Sequence, residues 1–185
     1  IKDEAINLTR ALKGDQKKQG NWGEVILERV LERSGLTKDS EYRLQVSYNT
    51  EDGARMQPDA IIDLPEDKHL VIDAKVSLIA YERWVNTHSE EERELYAKQH
   101  STSIKNHVTE LSRKNYQDLY KINSPDFVLM FMPIESAFSM SITYEPELFS
   151  DAWDKRVVIV SPSTLLATLR TIASIWKQER QTRNV

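Results

Sequence analysis

The chain has 185 residues, of which 39% are hydrophobic and 29% are charged, and its net charge is −4. This composition predicts a single soluble folded domain, and the negative charge argues against nucleic-acid binding through electrostatics alone. The sequence contains no cysteine, which excludes disulfides and thiolate metal sites and fits a reducing, cytoplasmic compartment. Its apolar runs are far shorter than the ~20 residues of a membrane span, so we expect no membrane contact from this chain.

The first half of the chain predicts one helix followed by three strands. Residues 22–34 have helical periodicity and stop before Gly35, a favourable residue after a helix C-terminus. Residues 42–48, 56–64 and 69–76 are strand-like, and the turn sequences TEDG and PEDK separate them. Two successive hairpins make an antiparallel meander the simplest pairing of these strands.

The middle of the chain predicts a helical insertion. From about residue 78 to 120 the sequence is charged, has helical periodicity and contains neither glycine nor proline. Because this stretch is too long for one ordinary helix, we expect two helices with a break near 87–89. The insertion could act as a clamp over a substrate, and an oligomer-forming helical hairpin is an equally good interpretation.

The last third predicts two buried strands and two helices. Apolar runs at 127–132 and 157–160 are typical of strands buried on both faces, with a helix at 135–149 between them. The sequence SPST begins the final helix, with Ser161 as N-cap and Pro162 as its first residue. The order of elements predicts an α/β fold, a mixed sheet with helices on both sides.

The strongest chemical signal lies in the segment QPDAIIDLPEDKHLVIDAKVSL. Residues two apart in a strand share a face, so Asp73 and Lys75 project together, while Ala74 points to the other side. Asp59 precedes the neighbouring strand and comes near Asp73 if the two strands pair antiparallel. Converging carboxylates suit Mg²⁺ or Mn²⁺, which can activate water for phosphodiester hydrolysis, and the lysine would stabilise developing charge. The rival interpretation is an ion pair between Asp73 and Lys75, worth only ~0–1 kcal/mol.

A third carboxylate is expected from the first helix. At about 100° per residue, the apolar side chains of this helix form one broad arc, and Glu24 lies at its border. A border position could direct the carboxylate along the surface of the sheet. Glu28, one turn further along, is the nearest competitor for this role.

Five segments carry a resemblance that extends beyond these single residues. They are GDQKKQGNWGEVILERVLERSGL, MQPDAIIDLP, VIDAKVSLIAYERW, DFVLMFMPIESAF and VSPSTLLATLRTIASIWKQERQTRN. From about residue 12 to 184 the chain resembles the RmuC family of bacterial DNA recombination proteins. That resemblance implies the PD-(D/E)xK nuclease superfamily and a restriction-endonuclease-like sheet. Glu24 then matches the helix carboxylate, Pro58-Asp59 the PD element, and Asp73-Ala74-Lys75 the (D/E)xK element.

The resemblance also implies a role and a domain layout. The role is genome maintenance, in which rearrangement at inverted repeats is limited. Intact relatives are expected to carry an inner-membrane segment or a long coiled coil ahead of the nuclease core. Because the chain opens at Ile1 and not at methionine, we expect a fragment. Residues 1–18 would then be the end of a helical stem and residues 19–185 the nuclease-like domain.

The leading hypothesis is therefore DNA cleavage that depends on Mg²⁺ or Mn²⁺. In it Asp59, Asp73 and Glu24 bind the metal, the Ala74 carbonyl adds a ligand, and Lys75 orients or stabilises the nucleophile. The alternative is a non-catalytic DNA-binding or scaffold module on the same fold. Either form is compatible with a homo-oligomer.

Further candidate DNA contacts come from five polar residues. Ser77 shares the face of Lys75 and could reach a phosphate or a water. On the predicted helices, His107 lies seven residues before Lys114, and Arg170 lies seven before Lys177, so each pair shares a face. Solvated surface positions are the competing interpretation for all five residues.

Two histidines and two tryptophans leave alternatives open. His100 and His107 share a helix face and could be metal ligands, although surface or interface positions are the more common use of such a spacing. Trp22 could stack on DNA bases, and aromatic stacking is worth ~1–3 kcal/mol per base. For Trp22 and for Trp176 we favour packing in the core.

Overall fold

The computed structural model describes residues 16–44, 48–49, 55–74, 77–114 and 127–184. In chain order their elements are α1 (Gln16–Arg33), β1 (Tyr42–Leu44), β2 (Tyr48–Asn49), β3 (Arg55–Met56), β4 (Ala60–Leu64), β5 (Lys68–Asp73), α2 (Ile79–Asn86), α3 (Glu90–Arg113), β6 (Val128–Phe131), α4 (Glu135–Tyr144), α5 (Leu148–Asp154), β7 (Val157–Val160) and α6 (Pro162–Arg183). The predicted α/β class, with a mixed sheet and flanking helices, is confirmed. None of these helices is long and apolar enough to cross a membrane.

Five strands form one mixed sheet in the order β1-β4-β5-β6-β7. The strands β1, β4 and β5 pair antiparallel, as the predicted meander requires, with Ala60 opposite Ile72. The pairs β5–β6 and β6–β7 are parallel. The ends of β5, β6 and β7 therefore meet at one edge of the sheet, where β4 begins.

The sheet is buried on both faces because its central strands are nearly continuous apolar runs, whose successive side chains point to opposite faces. One face, which includes Ile61 and Val71, packs against α2, α3, α4 and α5. The opposite face, which includes Ile72 and Ala74, packs against α1 and α6. Asp73 lies between these last two residues, so its side chain points toward the helical insertion.

The helical insertion consists of two helices, and the predicted break between them is confirmed. Helix α2 ends at Asn86 and α3 begins at Glu90. Ser89 caps α3, since its side chain accepts a hydrogen bond from the Glu92 backbone N–H. Fully buried residues such as Ile104 hold α3 against the sheet. The predicted end of the insertion, at 115–120, lies outside the described residues.

The prediction of one helix at 135–149 was wrong. Helix α4 ends at Tyr144, and a separate helix α5 begins at Leu148. Pro146 lies between them. Proline lacks a backbone N–H and disfavours helical conformation in the residue before it, so the chain turns there.

Several boundaries near the start of the domain also differ from the predictions. Helix α1 already covers Gln16, whereas residue 22 was the predicted start. Its predicted end is confirmed, because Gly35 follows it with φ of 88°, a conformation that glycine adopts without strain. The predicted strand at 42–48 is divided, since β2 pairs with β3 in a separate two-stranded sheet. Strand β5 ends at Asp73, and residues 75–76 lie outside the described part.

Candidate acidic site at the ends of strands β4 and β5

Asp59 directly precedes Ala60 and Asp73 directly follows Ile72, and Ala60 and Ile72 are the pair at one end of the β4–β5 ladder. Asp59 and Asp73 therefore lie at the same end of these two strands. The Asp59 backbone N–H donates to the Ile72 carbonyl at 3.1 Å. Its carboxylate Oδ2 accepts from the Ala74 N–H at 2.7 Å. This side chain therefore continues the connection between β4 and β5 past the end of the backbone ladder. The predicted approach of Asp59 to the end of β5 is confirmed.

Both carboxyl groups are removed from water. Asp59 is 4% exposed and Asp73 is 0% exposed. Burying a carboxylate is costly unless hydrogen bonds or opposite charges compensate it. Two such groups at neighbouring positions make this end of the sheet a place that favours cations.

Helix α3 supplies two basic side chains to Asp73. His107 Nε2 lies 3.5 Å from Oδ1, and Lys114 Nζ lies 3.7 Å from Oδ2. Both distances are at or beyond the limit of a hydrogen bond, so the contact of Lys114 with Asp73 is mainly electrostatic. The two residues predicted as a DNA-binding pair thus share a face, and that face meets the buried carboxylate. His107 Nδ1 also lies 3.9 Å from Glu110.

Glu24 approaches the site from the other face of the sheet. It is half-buried on α1 and lines a cavity of about 330 Å³ together with Asp59. Glu28, its competitor, lines the same cavity and lies 3.8 Å from Lys38. Helix α1 lies close to the strand end, since a Cβ on Gly23 would be in ordinary van der Waals contact, at 3.6 Å, with the Ala74 carbonyl oxygen.

Asp59 is the residue that connects the two halves of this site. It shares a cavity with Glu24 and binds the backbone beside Asp73. Within the described ranges, no three acidic or histidine side chains converge closely enough to hold a metal ion. The donor chemistry nevertheless fits a hard divalent cation, since carboxylates and a backbone carbonyl are the ligands that Mg²⁺ prefers.

The remaining predicted residues fall in three places. Lys75 lies outside the described residues. Ser77 is half-buried just before α2, on the chain segment that leaves the site. Arg170 and Lys177 are exposed on α6, where they point away from the buried residues of that helix.

His100 is a core residue in the described structure. It is fully buried, and its Nε2 lies 3.1 Å from the Ala137 carbonyl. Burial lowers the pKa of His100, and the hydrogen bond to Ala137 opposes this shift only in part. The histidine therefore packs α3 against α4 in its neutral form at physiological pH.

Both tryptophans favour the packing interpretation. Trp22 is half-buried against the core beneath the helical insertion. Trp176 packs on the opposite face of the sheet, and its Nε1 donates to the Asp63 carbonyl at 2.8 Å. The indole N–H of Trp176 thus has the partner that a buried tryptophan needs.

The sequence did not indicate the contact between the first turns of α4 and α6, the helices that follow β6 and β7. Glu135 Oε1 accepts a hydrogen bond from the Ser163 backbone N–H at 2.5 Å. A carboxylate at this position stabilises the start of α6, where backbone N–H groups have no helical partners. Glutamate in the first turn of α4 was the only local signal, and it did not indicate the distant partner.

The fold and site define a mixed α/β protein with buried carboxylates at the junction of its antiparallel and parallel strands. The chain belongs to the RmuC family, whose sequence profile matches residues 1–185.

Three relatives illustrate how far this similarity extends. The chain is 57% identical over 182 residues to a protein of Pseudomonas aeruginosa named DNA recombination protein RmuC homolog, covering 98% of this chain and 40% of that protein. It is 52% identical over 181 residues to DNA recombination protein RmuC of Escherichia coli, covering 98% and 38%. The Vibrio cholerae homolog is 49% identical over 181 residues, covering 98% and 35%. The chain thus spans at most about two fifths of the length of each of these relatives.

Proposed function

We propose that this chain is a DNA recombination domain that hydrolyses phosphodiester bonds with Mg²⁺ or Mn²⁺ and limits rearrangement at inverted repeats. Relatives with about half of their aligned residues identical are named DNA recombination proteins, which supports the role in recombination. The proposal extends to a cytoplasmic location. It also includes the possibility of homo-oligomers.

The observation that carries the proposal is the pair of buried carboxylates, Asp59 and Asp73, at adjacent strand ends. An antiparallel hairpin that continues into parallel strands also supports a restriction-endonuclease-like core of the PD-(D/E)xK type. A buried pair of carboxylates lowers the stability of the fold, because apolar residues of similar size would pack there more favourably. A functional cation gives a physical reason for that cost.

Each residue then has a specific task. Asp59 and Asp73 would hold the metal, with Glu24 from the cavity and the Ala74 carbonyl as further oxygen donors. A bound divalent cation supplies an acidified water and neutralises charge on the scissile phosphate. Lys75 would stabilise the attacking group. Asp59 is already held in place by the Ala74 N–H, which limits the reorganisation that binding requires.

The DNA backbone would contact residues beside the site and residues on α6, which reaches the other end of β4 where Trp176 contacts Asp63. Ser77 lies on the segment leaving the site, while Arg170 and Lys177 form an exposed basic pair on α6. With a net charge of −4, the chain must concentrate its positive charge locally to bind phosphates. These contacts would recognise the shape and backbone of DNA, and they contain no base-reading element.

A cleavage assay tests the proposal directly. The complete chain is incubated with Mn²⁺ or Mg²⁺ and with single-stranded, duplex, hairpin or branched DNA, alongside its Asp73→Asn and Lys75→Ala variants. We expect each variant to lose at least about a hundredfold in rate, since removing one group that stabilises the transition state typically costs that much. Asp63→Asn is the matched control, because Asp63 is on the same hairpin and pairs with Arg43 away from the site. Undiminished cleavage by Asp73→Asn contradicts the assignment.

The second candidate function is a DNA-binding or scaffold module without catalysis. It is favoured by the contact of Asp73 with Lys114, whose ammonium group already compensates the charge of the carboxylate. DNA binding that is equal in wild type and Asp73→Asn, together with no cleavage in either metal, would establish this alternative.

A further inference from the structure

We propose that Lys114 is an internal counter-ion for Asp73, and that it must leave this carboxylate before a divalent cation can bind there. The inference rests on the proposed metal-dependent function and extends it to the helical insertion. It assigns to the end of α3 control over whether the site accepts a metal.

Among the described residues, two basic side chains lie close to the carboxylate of Asp73, one near each oxygen. Lys114 Nζ is 3.7 Å from Oδ2, while His107 Nε2 is 3.5 Å from Oδ1. The carboxylate itself is fully buried, so solvent gives it little screening. A lysine ammonium at this distance therefore competes directly with any other cation for Asp73.

The two basic residues differ in their freedom to move. His107 lies within α3, and its side chain is 14% exposed. Lys114 is the residue that caps the C-terminus of α3, and its side chain is 39% exposed. A long lysine side chain at a helix end can turn its ammonium group into water while its backbone stays in place. Lys114 is therefore the group that can exchange with a metal ion, and His107 is the one that stays.

The exchange between Lys114 and a metal ion also explains a role for the contact between the helical insertion and Asp73. Without a cation, the ion pair with Lys114 reduces the cost of burying Asp73. With a cation bound, the released ammonium group becomes available to a nearby anion such as a phosphate of the DNA backbone. The same lysine thus compensates the charge of Asp73 before a metal binds and is displaced by the metal.

The affinity for Mn²⁺ in the absence of DNA tests this inference without using cleavage. Isothermal titration calorimetry is performed on the complete chain and on Lys114→Met, which keeps the length of the side chain and removes its charge. We expect the dissociation constant of Lys114→Met to fall by about tenfold or more, because a competing charge in direct contact is gone. Arg113→Met is the matched control, since Arg113 is the exposed neighbour on the same helix turn.

A tighter affinity that is confined to Lys114→Met supports the exchange. An unchanged affinity overturns it, because Lys114 would then not compete with the metal. An equal gain in Arg113→Met also overturns it, because the loss of any nearby positive charge would then explain the tighter binding. Lys114→Gln is the second variant if the methionine protein fails to fold, and circular dichroism checks both.

The outcomes separate this inference from the proposed function. If Mn²⁺ binds, Lys114→Met tightens it and no DNA is cut, then the inference holds and the nuclease proposal fails. If DNA is cut while Lys114→Met binds Mn²⁺ as wild type does, only the inference fails. If neither protein binds Mn²⁺, both are wrong.

Discussion

The Asp59 carboxylate accepts a hydrogen bond from the Ala74 backbone N–H at 2.7 Å, across the buried ends of β4 and β5. This contact gives Asp59 two roles that separate experimentally. One is structural, because the Ala74 N–H would otherwise be buried without its acceptor. The other is chemical, because the carboxylate carries the charge that a metal ion requires.

Replacing Asp59 by alanine or by asparagine should separate these two roles. Asp59→Ala removes the acceptor, and we expect it to lower the free energy of unfolding by about 1–3 kcal/mol. Asp59→Asn keeps an acceptor oxygen of similar geometry, so its loss should be clearly smaller. Urea denaturation measures both values, and Mn²⁺ binding should be weakened in both variants. Equal stability losses would show that the hydrogen bond to Ala74 contributes little.

The stability of the domain should fall as the pH is lowered through the ordinary pKa of histidine, about 6.5. Burial lowers the pKa of His100 in the folded state, so the unfolded chain binds a proton that the folded chain does not. Between the two pKa values, each decrease in pH therefore favours unfolding. His100→Gln retains a hydrogen-bond donor for Ala137 and should lose this part of the pH dependence. Urea denaturation at pH about 7.5 and about 5.5 measures the difference.

The exposed His88 gives a control for that experiment. His88→Gln removes a histidine from a solvent-exposed position between α2 and α3, so it should leave the pH dependence of the wild type intact. If His100→Gln keeps the full dependence and His88→Gln loses it, then burial of His100 is not the cause.

Two residues of α3 test whether the insertion is part of the core or a loosely attached clamp. Ile104 is fully buried under the sheet, while Leu95 on the same helix is half exposed. Ile104→Ala should lower the free energy of unfolding by about 2–5 kcal/mol. Leu95→Ala should change it by less than about 0.5 kcal/mol. Thermal and urea unfolding measure both variants, and a small effect of Ile104→Ala would indicate an insertion that moves independently of the sheet.

The sequence predicted those elements whose signals are local. The start of α6 is an example, because Ser161 and Pro162 satisfy the backbone where a helix begins, whatever lies around it. The apolar strands β6 and β7 are another, since continuous burial requires continuous apolar residues. The break after Tyr144 was not predicted, although Pro146 is a local signal for the interruption of a helix.

The candidate site was predictable in its residue types and only partly in its arrangement. The alternation of side chains along β5 predicted that Asp73 and Ala74 point to opposite faces of the sheet. The hairpin predicted that Asp59 lies at the end of β5 where Asp73 is. Glu24 was predicted to join them, and in the structure it lines the cavity of Asp59 from the side of α1. The position of a helix relative to a sheet depends on packing between distant segments, so periodicity alone does not fix where its border residues point.

The sequence by itself determined the α/β class, the family, the acidic residues at the strand ends and the order of the elements apart from the β2–β3 pair and the break between α4 and α5. It did so because periodicity, caps and motifs act over a few neighbouring positions. Only the tertiary structure decided which charges meet. Asp73 and Lys114 are far apart in the chain, and they pair because α3 packs on the face of the sheet toward which Asp73 points. That choice of face results from burying apolar surface of the whole helix, and the electrostatics of the site follow from it.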